Sequence, residues 1–281
     1  MFELKKHGTT VRTEVIAGLT TFAAMAYILM VNPGMFANLD GVSFDAVYIA
    51  TALSAVIGTV LIGLLANLPL AQASGMGLNA FFVYTVCFGF GFSYANALVF
   101  VLVDGLVFIL LTVTGLRKLI FDAIPAAVKT AIPAGIGLFI AFIGLQNAKI
   151  VVNNDSTLLG LFSFKGSVQA GTFNYEGITV LLALIGILIT AIFLIKNVKG
   201  GILWGILITW GLGIICQFIG LYKPDAAAGW YSLLPDFSAG ISIPSMAPTF
   251  MKMDFSIVFS LDFVVIMFAF LFVDMFDTLG T

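Results

Sequence analysis

Runs of about 20 mostly apolar residues recur along nearly the whole chain, and this pattern constrains the fold more than any other feature. Of the 281 residues, 61% are hydrophobic and only 9% are charged, whereas charged residues make up about 25% of a typical soluble domain. Backbone in hydrocarbon must satisfy its own hydrogen bonds, which a helix does within one segment. The sequence therefore predicts an all-α polytopic membrane protein.

Eight segments are long and apolar enough to cross a membrane. They are Val15–Phe36, Val47–Leu68, Ala71–Phe88, Tyr94–Thr114, Thr130–Ala148, Gly177–Ile195, Gly201–Leu221 and Ser256–Thr278. Two long polar loops, Val151–Tyr175 and Tyr222–Phe255, interrupt the series. After the fourth segment, residues 117–125 alternate charged with bulky apolar side chains, a pattern typical of a short interfacial helix.

The distribution of lysine and arginine predicts the orientation. With a cytoplasmic N-terminus, eight of these 12 residues fall on the cytoplasmic side and four on the outside, as the positive-inside rule expects. The segment Ala24–Ala26 resembles a signal-peptide cleavage site, but the apolar run continues through Val31, longer than a signal sequence needs. We therefore interpret the first segment as retained and expect a multi-pass protein of the plasma or inner membrane.

Composition argues against several other classes of protein. A net charge of −2 gives no reason to expect a nucleic-acid partner. Cys87 and Cys216 both lie in apolar runs, where buried free cysteine is the usual interpretation. His7 stands alone, so the sequence predicts no metal site. We expect no cofactor, no catalytic residue and no enzyme activity.

The third segment is poor as a continuous helix because glycines and polar residues crowd one end of it. Gly75, Gly77 and Asn79 all lie in this part of the segment. Non-helical backbone at membrane depth is tolerated where it is buried in protein or lines a cavity, and transporters use it to bind substrate. Close helix packing through small residues is the alternative, and the residues alone leave both open.

Carboxylates inside apolar segments are costly and are functional candidates for that reason. Asp274 and Asp277 are three residues apart and share one helix face; the alternative is a helix end at the cytoplasmic interface. Asp104 has either a structural hydrogen bond or a transport role, and Asp262 lies near the outer end of its segment. Asn32, which precedes a proline, is interpreted as marking the end of a helix.

Four stretches, in order along the chain, resemble the nucleobase–cation symporter-2 (xanthine/uracil permease) family. They are Gly18–Pro33, Ala73–Tyr84, Ile132–Leu145 and Val273–Thr281. The last stretch, VDMFDTLGT, is specific to the azaguanine-like branch of hypoxanthine, guanine and adenine permeases. Thr20 and Thr21 stand where the xanthine/urate branch carries a Gln-His pair, which also favours the azaguanine-like branch.

The resemblance implies a fold of fourteen membrane segments in two inverted repeats of seven, with the third segment interrupted by extended backbone. Segments one to four and eight to eleven would form a core domain, and the others a gate domain. The chain would hold eight segments and be C-terminally truncated, so that an acidic residue of the tenth segment is missing. Residues 1–115 would be core segments, 116–222 the interfacial helix and gate segments, and 223–281 the external loop and eighth segment.

The resemblance also implies a substrate site built from the first, third and eighth segments. The residues that match it, or lie beside it, are Thr21, Phe22, Gly77, Asn79 and Asp274. Asp274 would accept N–H hydrogen bonds from the nucleobase, and Asn79 would satisfy another edge of the ring. Asp274 and Asp277 would together serve proton coupling.

These expectations describe a secondary active transporter that imports hypoxanthine, guanine or adenine with proton symport, by movement of the core against the gate. The expected partners are a purine nucleobase, a proton in preference to sodium, and the lipid bilayer, with a homodimer as an option. One alternative keeps the fold but carries uracil, xanthine or an inorganic anion. Another is an intramembrane aspartyl protease, which needs aspartates on facing helices within Tyr-Asp and Gly-x-Gly-Asp motifs that this chain lacks.

Overall fold

A computed structural model describes residues 8–225, 228–234, 243–258 and 260–280, and it is mainly helical. The α-helices are α1 Val11–Met25, α2 Ile28–Phe36, α3 Phe44–Leu61, α4 Met76–Ala80, α5 Tyr94–Val113, α6 Leu116–Ala123, α7 Ala126–Asn147, α8 Phe164–Ala170, α9 Ile178–Ile195, α10 Gly201–Ile219 and α11 Leu261–Gly280. Helices α3 and α4 continue as π-helix over Ile62–Ala66 and Phe81–Gly89, and α9 is preceded by π-helix over Phe173–Gly177. Two short strands, β1 Val151–Asn154 and β2 Leu158–Leu161, pair antiparallel.

The helices confirm the predicted polytopic class. In the described part of the chain, 6 helices are long and apolar enough to cross a membrane: Val11–Phe36, Phe44–Ala66, Tyr94–Val113, Ala126–Asn147, Phe173–Ile195 and Gly201–Ile219. A shorter apolar helix, Met76–Gly89, corresponds to the third predicted segment. Helix α11, with 20 residues, corresponds to the eighth. The charged stretch after the fourth segment forms the amphipathic helix α6, whose Arg117 guanidinium lies 4.6 Å from the centre of the Phe108 ring.

The chain divides into two compact units. The first unit contains Met1–Phe2, Ala26–Ile140 and Ile243–Thr281, and the second contains Glu3–Met25 and Ala141–Ser242. Helices α2 to α6 and α11 therefore belong to the first unit, whereas α1, α9 and α10 belong to the second. The predicted division into core and gate segments stays a prediction.

The third segment leaves helical geometry, as predicted, but its helix begins later than the sequence suggested. Residues 67–75 are not helical, and α4 begins only at Met76. Thr59 on α3 holds the extended stretch at Gln72, accepting a hydrogen bond from its backbone nitrogen at 2.9 Å and donating to its carbonyl oxygen at 3.4 Å. The segment thus replaces lost helical hydrogen bonds with bonds to a neighbouring helix.

The interpretation of Asn32 as a helix end is wrong. The chain turns at Ala26–Tyr27, and α2 begins at Ile28 and continues through Pro33 to Phe36. The proline therefore lies in the second turn of a new helix, where it removes one backbone donor. Asn32 is instead a buried polar residue, with 6% of its surface exposed, and its side chain has partners on two other segments.

Helix α11 and helix α5 begin side by side in the first unit. The backbone nitrogen of Asp254, just before α11, donates to the carbonyl oxygen of Ala95 at 3.1 Å, and Asn96 Nδ2 donates to the Asp254 carbonyl oxygen at 3.2 Å. The Asp254 carboxylate accepts a hydrogen bond from the Ser256 backbone at 3.0 Å, and this bond holds its pKa below the ordinary value. The two helices therefore run parallel from a shared starting level.

Further along both helices, stacked aromatic rings hold α5 and α11 together. The Phe100 ring on α5 stacks on Phe263 at 4.9 Å and on Phe270 at 6.4 Å between ring centres, and both partners lie on α11. Phe81, in the third segment, meets Phe270 edge-on at 5.3 Å. Because Phe100 and Phe270 are both 0% exposed, this cluster fixes the third, fourth and eighth segments relative to one another.

In the second unit, α9 and α10 pack closely through two reciprocal pairs of glycine and threonine. A side-chain atom added at Gly186 would lie 2.5 Å from Thr209 Oγ1, and one added at Gly205 would overlap Thr190 Oγ1. Each threonine hydroxyl donates to the carbonyl oxygen of the glycine one turn earlier on its own helix, at 2.8 Å for Thr190 and 2.7 Å for Thr209. Small residues allow this close approach, as is typical of helices in membranes.

The first long loop has secondary structure that the sequence analysis did not anticipate. Strand β1 pairs with β2 in the register Val151 with Leu161 and Asn154 with Leu158. The turn is closed by Asn154 Oδ1, which accepts from the backbone nitrogens of Ser156 at 2.9 Å and Thr157 at 3.2 Å. Helix α8 follows, with Ser163 as its N-cap.

The glycine–threonine packing predicts which glycine of α10 tolerates a side chain. We expect Gly205→Ala to destabilise the protein by about 1–3 kcal/mol, the usual cost of overpacking, because the new methyl group overlaps Thr190. Gly211→Ala on the same helix is the matched control, since nothing lies within 4 Å of the added atom. Thermal unfolding of the purified protein in detergent measures both, and equal melting temperatures for the two variants would contradict the packing.

Candidate functional site

Asn79 lies at the start of the third-segment helix, where the chain changes from extended to helical. Gly75 has an extended backbone, with φ −69° and ψ 122°, and serves as the N-cap of α4. The backbone nitrogen of Asn79 donates to the Gly75 carbonyl oxygen at 3.2 Å. Gly77 lies within the first turn of α4. The break predicted from Gly75 and Gly77 is therefore located before Met76, and Asn79 follows it by one helical turn.

The Asn79 side chain is held by a chain of polar contacts across three segments of the first unit. Its Nδ2 donates to Asn32 Oδ1 on α2 at 2.6 Å, and Asn32 Nδ2 donates to Thr51 Oγ1 on α3 at 2.8 Å. Asn32 and Thr51 are buried, whereas Asn79 is half-buried. This orientation uses an N–H group of Asn79 for Asn32, and it leaves the Asn79 carbonyl oxygen as the group able to accept a hydrogen bond.

The extended stretch before α4 contains another polar side chain, that of Ser74. Ser74 Oγ is buried, and no hydrogen-bond partner is found for it among the described residues. The first backbone N–H groups of any helix have no partner within the helix. The break in the third segment thus brings polar groups to the place where Asn79 is held.

Asp274 is half-buried on α11, one helical turn after Phe270. Its side chain is hydrogen-bonded to the side chain of Asp104 on α5. Asp104 is only 3% exposed, and its Oδ1 has no partner among the described residues. A carboxyl group in the eighth segment is therefore joined to one in the fourth.

The other predicted site residues are Asp277, Thr21 and Phe22. The backbone of Asp277 continues α11, but its side chain lies outside the described residues, so its role stays a prediction. Thr21 and Phe22 lie on α1, in the second unit. The Thr21 hydroxyl donates to the Ala17 carbonyl oxygen at 3.0 Å, and the Phe22 ring is exposed. Their place beside the substrate stays a prediction.

The structure adds residues to the candidate site that sequence reasoning missed or left open. Asn32 was taken as a helix-end signal, and Thr51 was not considered. A polar residue within an apolar run is a signal that could have found both, but their partners lie 19 and 47 residues away in sequence. Among the described residues, no group of three or more His, Cys, Asp or Glu could hold a metal ion.

Comparison with known proteins identifies the family of the chain. The sequence profile of the Permease family (Xan_ur_permease) matches residues 12–281. The chain belongs to this family. Membership confirms the predicted class, a membrane transport family and not an enzyme family, and it agrees with the resemblance carried by the four sequence stretches.

Several named relatives are similar along the whole chain. A protein of Methanocaldococcus jannaschii that carries a permease name, MJ0326, is 43% identical over 282 residues. The guanine/hypoxanthine permease PbuG of Bacillus subtilis is 39% identical over 290 residues, and the adenine permease AdeP of Escherichia coli is 34% identical over 282. Each alignment covers 100% of this permease chain, but only 57% to 60% of the relative. The chain thus spans less than two thirds of their length.

The hydrogen bonds that hold Asn79 predict that Asn32 contributes to the stability of the protein, although Asn32 lies on α2 and not in the third segment. We expect Asn32→Ala to destabilise the protein by about 1–3 kcal/mol, the cost of leaving buried hydrogen-bonding groups without partners. Thermal unfolding in detergent measures the change. Asn38→Ala is the matched control, because Asn38 is exposed, lies in the turn after α2 and donates to the backbone carbonyls of Gly34 and Met35 and not to another segment. Equal destabilisation by both variants would contradict the role given to Asn32.

Proposed function

We propose that this permease imports purine nucleobases, namely hypoxanthine, guanine or adenine, by proton symport. The observation that carries the proposal is the position of Asp274: a half-buried carboxyl group within an apolar helix, packed in one unit with the broken third segment. The names of the relatives support the class of substrate. The share of their length that this chain spans makes its transport activity part of the proposal.

The two polar side chains suit a flat heterocycle. Carboxylate oxygens accept hydrogen bonds from adjacent N–H groups, and a carboxamide can accept from or donate to another ring edge. Asp274 would bind the N–H edge of the purine, while Asn79, fixed by Asn32, would bind a second edge. Asp277 and Asp274 would exchange the coupled proton. Import would follow movement of the core segments against the gate segments, as in transporters built from repeats.

Other cargoes of the same fold are the nearest alternative. Uracil and xanthine carry similar N–H groups, so they remain competitors to be tested. An inorganic anion is disfavoured because it would be repelled by carboxylates, and anion sites use cationic side chains or helix N-termini.

An intramembrane aspartyl protease is the alternative from another class. Asp104 and Asp274 do lie on facing helices, but each follows a valine, and neither stands in a Tyr-Asp or Gly-x-Gly-Asp motif. Membership of a permease family also argues against it. Cleavage of a transmembrane peptide by the purified protein would be needed to revive this alternative.

Uptake of labelled hypoxanthine tests the proposal. The gene, expressed from its complete reading frame in cells that lack purine transport, should give saturable uptake that a protonophore abolishes. Unlabelled adenine and guanine should compete, whereas uracil should not. Competition by uracil but not by purines would contradict the proposed cargo, and uptake that follows sodium instead of the proton gradient would contradict the coupling.

Asp274→Asn tests the binding residue. We expect uptake to fall by about 100-fold or more, since an amide cannot replace a charged acceptor that contributes roughly 1.5–3 kcal/mol to a hydrogen bond and also carries the proton. Asp262→Asn is the matched control, because Asp262 is on the same helix but exposed. Membrane abundance is measured for each variant by immunoblot. Full uptake by Asp274→Asn would remove Asp274 from the site.

A further inference from the structure

Two buried carboxyl groups meet between α5 and α11, and the function described so far uses only one of them. Asp104 and Asp274 share a side-chain hydrogen bond. Asp104 is almost completely buried, and Asp274 is half-buried. A buried charged group is expensive unless it is paired, so this arrangement calls for a chemical explanation.

The packing of the two helices agrees with this pairing. Phe100 on α5 stacks on Phe270 on α11, with 6.4 Å between ring centres and 5° between ring planes. Asp104 and Asp274 each follow their phenylalanine by four residues. Because the helices run parallel from the Asp254 contacts, one turn beyond the stacked rings brings the two carboxyl groups face to face.

Hydrogen-bond chemistry then determines the protonation of the pair. An ionised carboxylate has acceptors and no donor, so two ionised aspartates cannot hydrogen-bond to each other. A bond between them requires one proton, as in other pairs of facing carboxyl groups. The neutral form is favoured at the more buried member, Asp104. Its Oδ1, which lacks a partner among the described residues, is then a neutral carbonyl oxygen and not a buried charge.

We propose that Asp104 and Asp274 hold one proton between them, and that Asp104 is the positioning residue that sets the protonation of the substrate-binding carboxylate. The inference rests on the proposed function for the role of Asp274 in binding. Asp104 donates its O–H to one oxygen of Asp274, so that Asp274 keeps a negative charge. In the proposed function, that charged carboxylate binds the N–H groups of a purine.

Among the described residues, Asp274 is the titratable group whose side chain meets Asp104. The other titratable residues on the elements packed against α5 are Asp262 and Asp277 on α11, Tyr84 and Cys87 in the third segment, Arg117, Lys118 and Asp122 on α6, and Asp254 before α11. The guanidinium of Arg117 lies over the ring of Phe108, and Phe108 follows Asp104 by one helical turn.

This assignment divides two tasks between two residues. A single carboxylate that both carries the proton and binds the purine must use the same oxygens for both. In the pair, the proton resides between Asp104 and Asp274, while the outer lone pairs of Asp274 bind substrate. Release of the purine and release of the proton are then linked through Asp274, which takes part in both.

Infrared spectroscopy of the purified protein, expressed from its complete reading frame, tests the shared proton directly. At neutral pH we expect a carbonyl band of a protonated carboxylic acid in the unmodified protein. The band should be lost in Asp104→Asn. In Asp274→Asn it should persist at a shifted frequency, because the buried Asp104 stays neutral but its O–H has lost the carboxylate that accepts it. The band should be unchanged in Asp262→Asn, and Asp104→Glu, which keeps a titratable group, should retain it. A band that is absent from the unmodified protein, that survives in Asp104→Asn, or that does not shift in Asp274→Asn would overturn the proposal.

The pH profile of hypoxanthine uptake separates positioning from a purely structural role. Asp104→Asn keeps an N–H donor for Asp274 but removes the carboxyl group that holds the shared proton, so the site no longer keeps that proton as the pH rises. We expect the alkaline limb of uptake to move to lower pH by about one unit or more, the size of coupling typical of such pairs, and Asp104→Glu to restore it. An unshifted profile with reduced abundance would overturn the positioning role.

The two measurements fail independently. The infrared band does not depend on the cargo, so its presence without any purine uptake would contradict the proposed function and leave the pair intact. Purine uptake by a protein without the band would support the proposed function and contradict the shared proton. If Asp104→Asn gives no folded protein, Asp274→Asn decides the infrared test, because it removes the acceptor of the Asp104 O–H and should shift the carbonyl band.

Discussion

The cost of burying polar groups among apolar helices governs the first unit of this protein. Polar side chains that are removed from water are costly there unless they bond to one another. Two sets do so: Asn79 with Asn32 and Thr51, and Asp104 with Asp274. Each set joins segments that are distant in sequence. The same hydrogen bonds that reduce the burial penalty therefore also hold the residues of the third and eighth segments to which we assign the proposed substrate site.

A cluster of aromatic rings connects the two sets. Phe81 follows Asn79 by two residues, and Phe270 precedes Asp274 by one turn, with Phe100 packed on the other side. These rings are rigid, and Phe100 and Phe270 are fully buried, so they resist sliding of α11 along α5. A movement that separated Asp104 from Asp274 would also have to unstack Phe100. The unit is thus better suited to moving as a body than to rearranging internally.

Local pattern was enough to predict the helices and the break, but not the contacts of the site. Apolar runs predicted α5 and α10 to within a few residues, and the glycines near Asn79 predicted the extended stretch before it. Asn32 was misread because an Asn-Pro pair is a local helix-end signal, whereas its real partners depend on tertiary packing. The pairing of Asp104 with Asp274 spans 170 residues, and no periodicity in a single sequence reports it.

A shared proton also affects the free-energy cost of keeping the proposed binding carboxylate within an apolar helix. A charge at the centre of an apolar helix costs roughly 2.5–3.5 kcal/mol on insertion scales, and two adjacent carboxylates would cost more because they repel. One proton held by Asp104 and Asp274 limits the pair to a single negative charge. In the proposed function, that charge would in turn be satisfied when purine N–H groups bind Asp274. A loaded site would then carry less unsatisfied charge than an empty, deprotonated one, which would give a physical reason for proton and substrate to move together.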